Sequence, residues 1–441
     1  MILLESNLSA GRKWGRLGDF YAVTRKPRGL SLRGQADVVF VPMEAIPQGG
    51  KLEPNYTQKS SHAIASGTYF ERGDILIAKI TPSFENGKQA LVNNIPSAFG
   101  YATTEVIPVH AKESNQDARF LFYYLLHPDI RNFIATKMEG ATGRQRVPED
   151  VLLDLPLPII PKKEQSDISN VLFFIRKHSE SEQRSEQLTQ ELKRAVMRIF
   201  FTQGLRGETQ KETDIGLMPM SWAPRTILEL CEIWSGGTPR KSVSKYWGGN
   251  IPWVSGKDLK SPALDDAIDH ITREGAQAGS RIAPEGAVLI LVRGMGLAKD
   301  LPVAVIKRPM AFNQDVKALV SRGEFSGSFL RSAIYVGKDR LLSQIVPSAH
   351  GTMTLNLNDI ETFKIPCPTD HTEARDIVTV LDTIDRKIAL HRKKYFTLEE
   401  LFKSLLNKLV TGEIRISDLN LSALTTKVST MELQYEHPQH Y

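Results

Sequence analysis

An internal duplication constrains the fold of this 441-residue chain more than any other feature of its sequence. Leu155-Pro156-Leu157-Pro158 recurs as Ile365-Pro366-Cys367-Pro368, and both segments are followed by apolar residues at matching positions. The offset of about 210 residues persists upstream, with small insertions, across nearly half of the chain. Because chance rarely preserves order and spacing over such a length, we infer two structural copies, at residues 14–206 and 222–415.

The first part of each copy has the pattern of an α+β domain. Residues 74–80 and 287–292 are apolar runs behind a glycine turn, which is typical of buried strands. Residues 119–137 and 328–345 place apolar side chains at helical spacing. The prolines that follow hold the backbone extended, because each ring fixes φ and disfavours helix in the residue before it. Each copy therefore begins with a mixed α/β globular domain that ends at its prolines.

A heptad pattern follows the prolines of the second copy and predicts a long helix. Its apolar stripe consists of Ile377, Leu381, Ile384, Ile388, His391, Tyr395, Leu398, Phe402, Leu405 and Leu409. This alternating spacing of four and three is typical of a coiled-coil seam. With Thr372 as a start cap and Gly412 as the end, the helix has about 40 residues and a length of about 60 Å.

The first copy begins in the same way, but its pattern changes in the middle. After Ile168, Leu172 and Ile175 the sequence turns polar, and an apolar stripe resumes in a shifted register. That second stripe consists of Leu188, Leu192, Ala195 and Ile199. Because residues 162–203 contain neither glycine nor proline, we predict one continuous helix with an interrupted seam.

Two such stripes in one chain should pair with each other, since a row of large apolar side chains is unfavourable in water. Each helix trails its own domain, so we predict an antiparallel coiled coil that joins two tandem domains. A helix that lies flat on its own domain remains an alternative. The predicted segments are globular domains at 1–160 and 207–370, helices at 161–206 and 371–415, and a tail at 416–441.

Composition and motifs disfavour catalysis, metal binding and membrane insertion. The net charge of +6 attracts phosphate polymers but decides little alone. The sequence has neither a P-loop nor the glycine-rich and Asn/Asp-Pro-Pro-aromatic motifs of a DNA methyltransferase. Cys231 and Cys367 lack the spacing of a zinc or disulfide site, and no apolar run is long enough for export or a membrane span. We expect a cytoplasmic protein without a membrane partner, a catalytic or metal site, or a cofactor of its own.

Several motifs resemble those of the specificity subunits of type I restriction-modification systems. The most specific is Ser235-Gly236-Gly237-Thr238-Pro239, followed by Tyr246-Trp247 and Ile251-Pro252-Trp253, and Asn313-Gln314-Asp315-Val316 is also similar. The first copy departs from this pattern, because Val23-Thr24-Arg25-Lys26-Pro27 replaces the Gly-Gly-Thr-Pro turn.

The resemblance implies two target recognition domains, each of which reads one half of a split site in double-stranded DNA. The paired helices would hold these domains apart and set the spacer between the half-sites. It also implies partners: two modification (methyltransferase) subunits that carry S-adenosylmethionine and dock on the helices, and translocating restriction subunits that can join them.

Loops would then supply cations for phosphates and guanidinium or amide groups for base edges. In the first copy the candidates are Arg25, Lys26, Arg28, Lys79, Ser83, Asn86, Lys88, Arg144, Gln145 and Arg146. In the second copy they are Thr238, Arg240, Lys241, Lys245, Tyr246, Lys257, Arg293, Asn313, Gln314 and His350. The run from Gly143 to Arg146 is the sharpest candidate, because it joins two guanidinium groups and an amide at a glycine hinge.

Two other classes of function stay open at this point. A self-contained restriction or modification enzyme would transfer methyl groups without partner subunits. A coiled-coil scaffold that binds only protein would lack the steep, salt-dependent affinity for duplex DNA that phosphate contacts produce.

Overall fold

The computed structural model describes residues 13–31, 37–64, 66–347 and 352–419. The chain divides into two compact units, which we call the first unit (1–184 with 391–441) and the second unit (185–390). The two long helices span Lys162–Gln203 and His371–Thr411, so each unit contains one globular domain and part of both helices. Within the described ranges, no helix combines the length and the apolar character needed to cross a membrane.

Two four-stranded sheets form the globular domain of the first unit. One sheet is antiparallel throughout, in the order Tyr21–Val23, Val106–Ala111, Ile75–Ala78 and Gln89–Leu91. The other has a parallel middle pair, in the order Thr57–Ser60, Asp37–Val41, Phe99–Ala102 and Thr68–Glu71. The shorter helices are Leu17–Phe20, Met43–Ala45, Ser61–Ala63, Ala118–Tyr124, Pro128–Ala135, Glu149–Leu153 and Ile416–Asp418.

The second unit repeats this topology with one additional strand. Its larger sheet has the order Cys231–Ser235, Val316–Ser321, Val288–Leu291, Val303–Ile306 and Ala263–Leu264. Its smaller sheet again has a parallel middle pair, in the order Asp269–Ile271, Trp247–Val254, Met310–Phe312 and Arg281–Ala283. The shorter helices are Ile227–Leu230, Ser244–Tyr246, Arg273–Gly279, Met295–Ala298, Gly327–Val336, Lys338–Leu342 and Leu357–Glu361. The shared strand order confirms the duplication inferred from the sequence.

The predicted buried strands lie in the larger sheet of each unit. Every residue of Ile75–Ala78 and of Val288–Leu291 is buried. In the first unit, Ile77 shares a core with the helix Ala118–Tyr124, and Leu76 shares a core with Val39 and Phe70 of the smaller sheet. The proline-rich exits also form strands: Pro156–Ile159 pairs with Lys13–Arg16, and Lys364–Cys367 pairs with Ala223–Thr226. Two short antiparallel strand pairs in the second unit join Gln210–Thr213 with Gly216–Pro219 and Val346–Pro347 with Met353–Thr354.

The long helices pair antiparallel within the first unit. Arg176 donates to Glu399 at 2.8 Å, and Nδ1 of His391 lies 2.5 Å from a carboxylate oxygen of Glu182. The residue numbers rise along one helix as they fall along the other, which defines opposite directions. The second unit shows the same relation, because Lys193 pairs with Asp385 at 2.5 Å and Leu205, just after the first helix, donates to Glu373 near the start of the second. The predicted antiparallel pairing of the two helices is therefore confirmed.

The heptad stripe of the second helix is confirmed, since all ten of its residues are buried or half-buried. Its predicted start cap is wrong, because the helix begins at His371 and so includes Thr372. Gly412 does end the helix, and its φ of 80° is a left-handed conformation that favours glycine.

The predicted register shift in the first helix is wrong. Ile168, Leu172 and Ile175 are buried as expected, but Leu188, Leu192 and Ile199 are 47%, 54% and 48% exposed. The seam instead continues unshifted through polar residues, which include Ser179, Glu182 and Lys193. Polar side chains can lie in this seam because groups on the second helix pair with them. Glu182 pairs with His391, and Lys193 pairs with Asp385. The helix is continuous, as predicted.

The long helices also pack on the globular domains, which was the alternative left open by the sequence. In the first unit, Ile168 and Leu172 share one core with Phe402 of the second helix and with residues of the globular domain. In the second unit, Phe201 and Ile377 lie in the core that contains the buried strand Val288–Leu291. Each helix end is thus held by both its partner helix and a domain.

Glu373 connects the start of the second helix to the segment that enters the second domain. Its carboxylate accepts hydrogen bonds from Nε1 of the buried Trp222 at 3.0 Å and from the backbone N–H of Leu205 at 2.8 Å. Glu373→Ala should lower the free energy of unfolding of the second unit by about 2–3 kcal/mol, because both donors lose their acceptor. Urea unfolding followed by tryptophan fluorescence measures this loss. Glu373→Gln keeps one oxygen acceptor and should lose less, whereas equal midpoints for wild type and Glu373→Ala would contradict the assignment.

Candidate nucleic-acid interface

In the first unit two loops that carry candidate DNA contacts lie side by side. One loop follows the buried strand Ile75–Ala78, and the other precedes the helix Glu149–Leu153. Thr81 donates its backbone N–H to the carbonyl of Gln145 at 3.0 Å, and Val147 donates to the carbonyl of Lys79 at 2.8 Å. The structure therefore brings together Lys79, Ser83, Asn86, Lys88, Arg144, Gln145 and Arg146.

The two arginines of the predicted run have different environments. Arg146 makes a bidentate ion pair with Glu105, at 2.9 Å from Nε and 2.7 Å from Nη2. This guanidinium lowers the pKa of the Glu105 carboxyl, so the carboxylate stays charged and holds the arginine. The Arg144 side chain is exposed and makes no hydrogen bond or ion pair with any other described residue. Arg144 is thus the arginine of this run whose guanidinium is available to a ligand.

Several other candidates of the first unit are engaged within the chain. Lys88 donates to the carbonyl of Met43 at 2.8 Å, and Arg25 forms an ion pair with Glu149. Lys26 lies over the ring of Tyr101. Arg28 is exposed, and no partner for its side chain occurs in the described ranges.

Close backbone contacts explain the Gly-Gly-Thr-Pro turn of the second unit. A Cβ at Gly236 would lie 2.2 Å from the carbonyl oxygen of Phe312, and a Cβ at Gly237 would lie 2.3 Å from that of Gly279. Only glycine fits at such distances. The turn places the Thr238 hydroxyl 2.6 Å from the side-chain oxygen of Gln314, so two candidates meet there.

Arg293 lies in the loop that follows the central buried strand of the second unit, at the position that Ile80 occupies in the first unit. The backbone N–H of Val292, which precedes Arg293, contacts the carbonyl of Asp315 at 2.8 Å, as that of Lys79 contacts the carbonyl of Glu105 at 3.0 Å. Arg293 also forms a bridge with Thr354, as Ile80 does with Arg146. The two units therefore build their candidate interfaces from equivalent loops.

The remaining candidates of the second unit differ in exposure. Asn313 is buried, and its side-chain oxygen accepts a hydrogen bond from the backbone N–H of Asp315, so it stabilises the turn from residue 313 to residue 315. Lys245 pairs with Glu274, and Lys257 pairs with Asp269. Tyr246 is half-buried, with the Lys245 ammonium 5.8 Å from its ring centre, whereas the Arg240, Lys241 and Arg293 side chains are exposed without a partner in the described part of the chain. His350 lies outside the described residues.

The sequence did not reveal the residues that hold these loops from below. No motif in the sequence marks Glu105, Arg131 or Lys338. Only their partners in space identify their roles. The strand position that Glu105 and Asp315 share in the repeat was the one available signal.

Comparison with known proteins assigns a family to this fold. The model of the type I restriction modification DNA specificity domain matches residues 13–191 and again residues 219–400. The chain therefore belongs to this family, and the resemblance noted in its motifs is confirmed. The two matches correspond to the two copies of the repeat.

Individual relatives come from distant organisms. The specificity subunit of the Escherichia coli type I restriction enzyme EcoR124I/EcoR124II is 30% identical over 39% of this chain and 45% of its own length. That of the Methanocaldococcus jannaschii enzyme MjaIX is 31% identical over 47% of this chain and 49% of its own length. The chain thus spans about half the length of these relatives. The crystal structure of a type I S subunit from M. genitalium shares the fold, with a TM-score of 0.56, 15% identity and coverage of 91% of this chain and 97% of that one.

Proposed function

We propose that this chain is the DNA-recognition subunit of a type I restriction-modification complex and performs no catalysis itself. Each unit would read one half of a bipartite site in double-stranded DNA. The observation that carries this proposal is the duplicated pair of loops, which presents the exposed Arg144 on one loop of the first unit and the exposed Arg293 on the other loop of the second unit. Because the paired loops of the two units have similar backbones but different side chains, they suit two half-sites of different sequence.

The long helices would determine the spacer between the half-sites. Specific contacts from both units to one side of the duplex require half-sites about one helical turn, or about 34 Å, apart. Helices of 42 and 41 residues are long enough for such a spacing at about 1.5 Å per residue.

The outward faces of the helices would bind modification subunits that carry S-adenosylmethionine. Leu188, Leu192 and Ile199 form an exposed apolar stripe in the second unit, and Phe396 and Leu401 are exposed in the first unit. Leu192 and Leu401 occupy equivalent positions in the repeat. Because both units present such a surface, we propose two modification subunits for each copy of this chain; a translocating restriction subunit would join through them.

Methylation mapping tests the proposed function. The chain, purified together with modification subunits, is incubated with S-adenosylmethionine and a random-sequence duplex library, and the modified sites are sequenced. We expect one bipartite consensus with a fixed spacer, and affinity for duplex DNA that falls steeply with salt. Methyl transfer by the chain alone would instead favour a self-contained enzyme. Absence of salt-dependent DNA binding with and without modification subunits would favour a protein scaffold.

Arg144→Ala should reduce discrimination at one base position of the half-site read by the first unit. A bidentate arginine contact to a base contributes about 1–3 kcal/mol, so discrimination should fall by about 5- to 150-fold. Methylation rates on duplexes that differ at single positions measure the effect. Arg240→Ala is the matched control in the second unit and should leave the first half-site unchanged. An equal loss of affinity for all sequences would assign Arg144 to a phosphate contact instead.

A further inference from the structure

We infer that Arg131 and Lys338 are positioning residues for DNA recognition, each clamping the loop that follows the central buried strand of its own unit. This inference rests on the proposed function of these loops. Neither residue needs to touch DNA, because each would act by fixing the conformation of residues that do.

In the first unit, Arg131 extends from the helix Pro128–Ala135 into the base of the loop that carries Ser83 and Asn86. Its guanidinium donates to the carbonyl of Phe84, to the side-chain oxygen of Gln89 at 3.0 Å and to the carbonyl of Leu125 at 2.9 Å. The guanidinium carbon also lies 5.0 Å from the centre of the Phe84 ring. Both Arg131 and Phe84 are buried, so the loop is attached to the helix from inside the domain.

The Arg131 clamp is itself held in place. Gln89 is 1% exposed and donates to the carbonyl of Phe122 at 2.6 Å, so the guanidinium meets a fixed acceptor. Burial lowers the pKa of Arg131 to about 10, which leaves the side chain charged at neutral pH. A buried guanidinium with three acceptors is a rigid attachment, because loss of the cation would leave buried acceptors unsatisfied.

The second unit makes the corresponding attachment with a different cation. Lys338 belongs to the helix Lys338–Leu342, and its ammonium lies 2.6 Å from Oδ1 of Asp300. Asp300 stands in the loop that begins at Arg293; it also accepts from the hydroxyl of Tyr335 at 3.3 Å and from the backbone of Leu301 at 2.8 Å. In both units, therefore, the helix after the one that covers the sheet sends a cation into the equivalent loop.

These loops lie at the ends of strands, so their conformation depends on the contacts that hold them to the rest of the domain. A loop that samples several conformations lowers the share of the binding-competent one and reduces discrimination between similar sequences. Loss of the clamp should therefore reduce the selectivity of one unit, in addition to the stability lost when buried acceptors are left unsatisfied.

The test uses the complex with modification subunits and a duplex library randomised at one half-site at a time. Arg144→Ala first identifies the half-site read by the first unit. Arg131→Met should then reduce discrimination at that half-site by about 10-fold, and Lys338→Met should do the same at the other half-site. Arg131→Lys and Lys338→Arg, which keep the cation, should recover part of the selectivity. Circular dichroism and thermal unfolding show that the compared variants are folded at the assay temperature.

Each clamp variant is the control for the other. The inference would be overturned if either variant lost discrimination equally at both half-sites. It would also be overturned if the folded Arg131→Met and Lys338→Met variants kept wild-type discrimination. If Arg131→Met does not fold, Arg131→Lys and the half-exposed Lys338 decide the question. A wild-type complex that selects no bipartite site would refute the proposed function instead, whatever the variants do.

Discussion

A complex in which both long helices are extended by one heptad should methylate the same two half-sites at a longer spacing. Insertion between Arg184 and Ser185, and between Leu390 and His391, places the added turns where both helices pass from one unit to the other. Seven residues add about 10 Å, which equals about three base pairs of duplex rise, so the spacer should grow by up to about three base pairs. Wild-type sites should then be modified at least about 100-fold more slowly, because the two units cannot contact both half-sites of such a site at once.

The control for this experiment is a heptad inserted into only one of the two helices. Such an insertion prevents the interhelical pairs Glu182–His391 and Lys193–Asp385 from forming at the same time. It should therefore impair folding without producing a new spacer. Sequencing of methylated library DNA reads the spacer directly. An unchanged spacer in the folded double insertion would show that the helices do not determine it.

The second large effect is expected at the outward faces of the helices. Leu192→Asp and Leu401→Asp should each remove one modification subunit, and the double variant should remove both and abolish methylation. A charge placed in an apolar interface costs several kcal/mol, so the affinity at each site should fall by at least about 100-fold. Native mass spectrometry of the assembled complex counts the bound subunits.

Leu228→Asp is the matched control for these variants. Leu228 is a leucine of the second unit that is 51% exposed on the short helix Ile227–Leu230 and stands outside the long helices. It should leave the stoichiometry of the complex unchanged. A full complement of subunits on the Leu192→Asp, Leu401→Asp double variant would place the docking surface elsewhere.

The seam of the first helix shows where sequence reasoning failed. Apolar periodicity led to Leu188, Leu192 and Ile199, although the buried line runs through Ser179, Glu182 and Lys193. A pattern of apolar residues indicates that one face of a helix must be covered, but it does not indicate whether this chain or another molecule covers it. Polar residues in the seam become visible only when their partners, such as His391 and Asp385, are known in space.

The candidate interface divides in a similar way. The run that contains Arg144 and Arg146 is predicted from residue types alone, because arginine and glutamine near a glycine hinge suit base recognition. The different environments of Arg144 and Arg146 are not predictable from the sequence, because they depend on Glu105, which is distant in the chain. Glu105 pairs with the Arg146 side chain, whereas the Arg144 side chain has no partner among the described residues.

The sequence by itself determined the duplication, the α+β character of each copy and the two long helices, because periodicity and repeated order are properties of the chain. Tertiary structure decided which helix faces are buried and which cations are engaged, as Arg131 and Lys338 illustrate. The physical reason is that a charge or an apolar side chain acquires its role from the group it meets, and residues far apart in the chain supply that group.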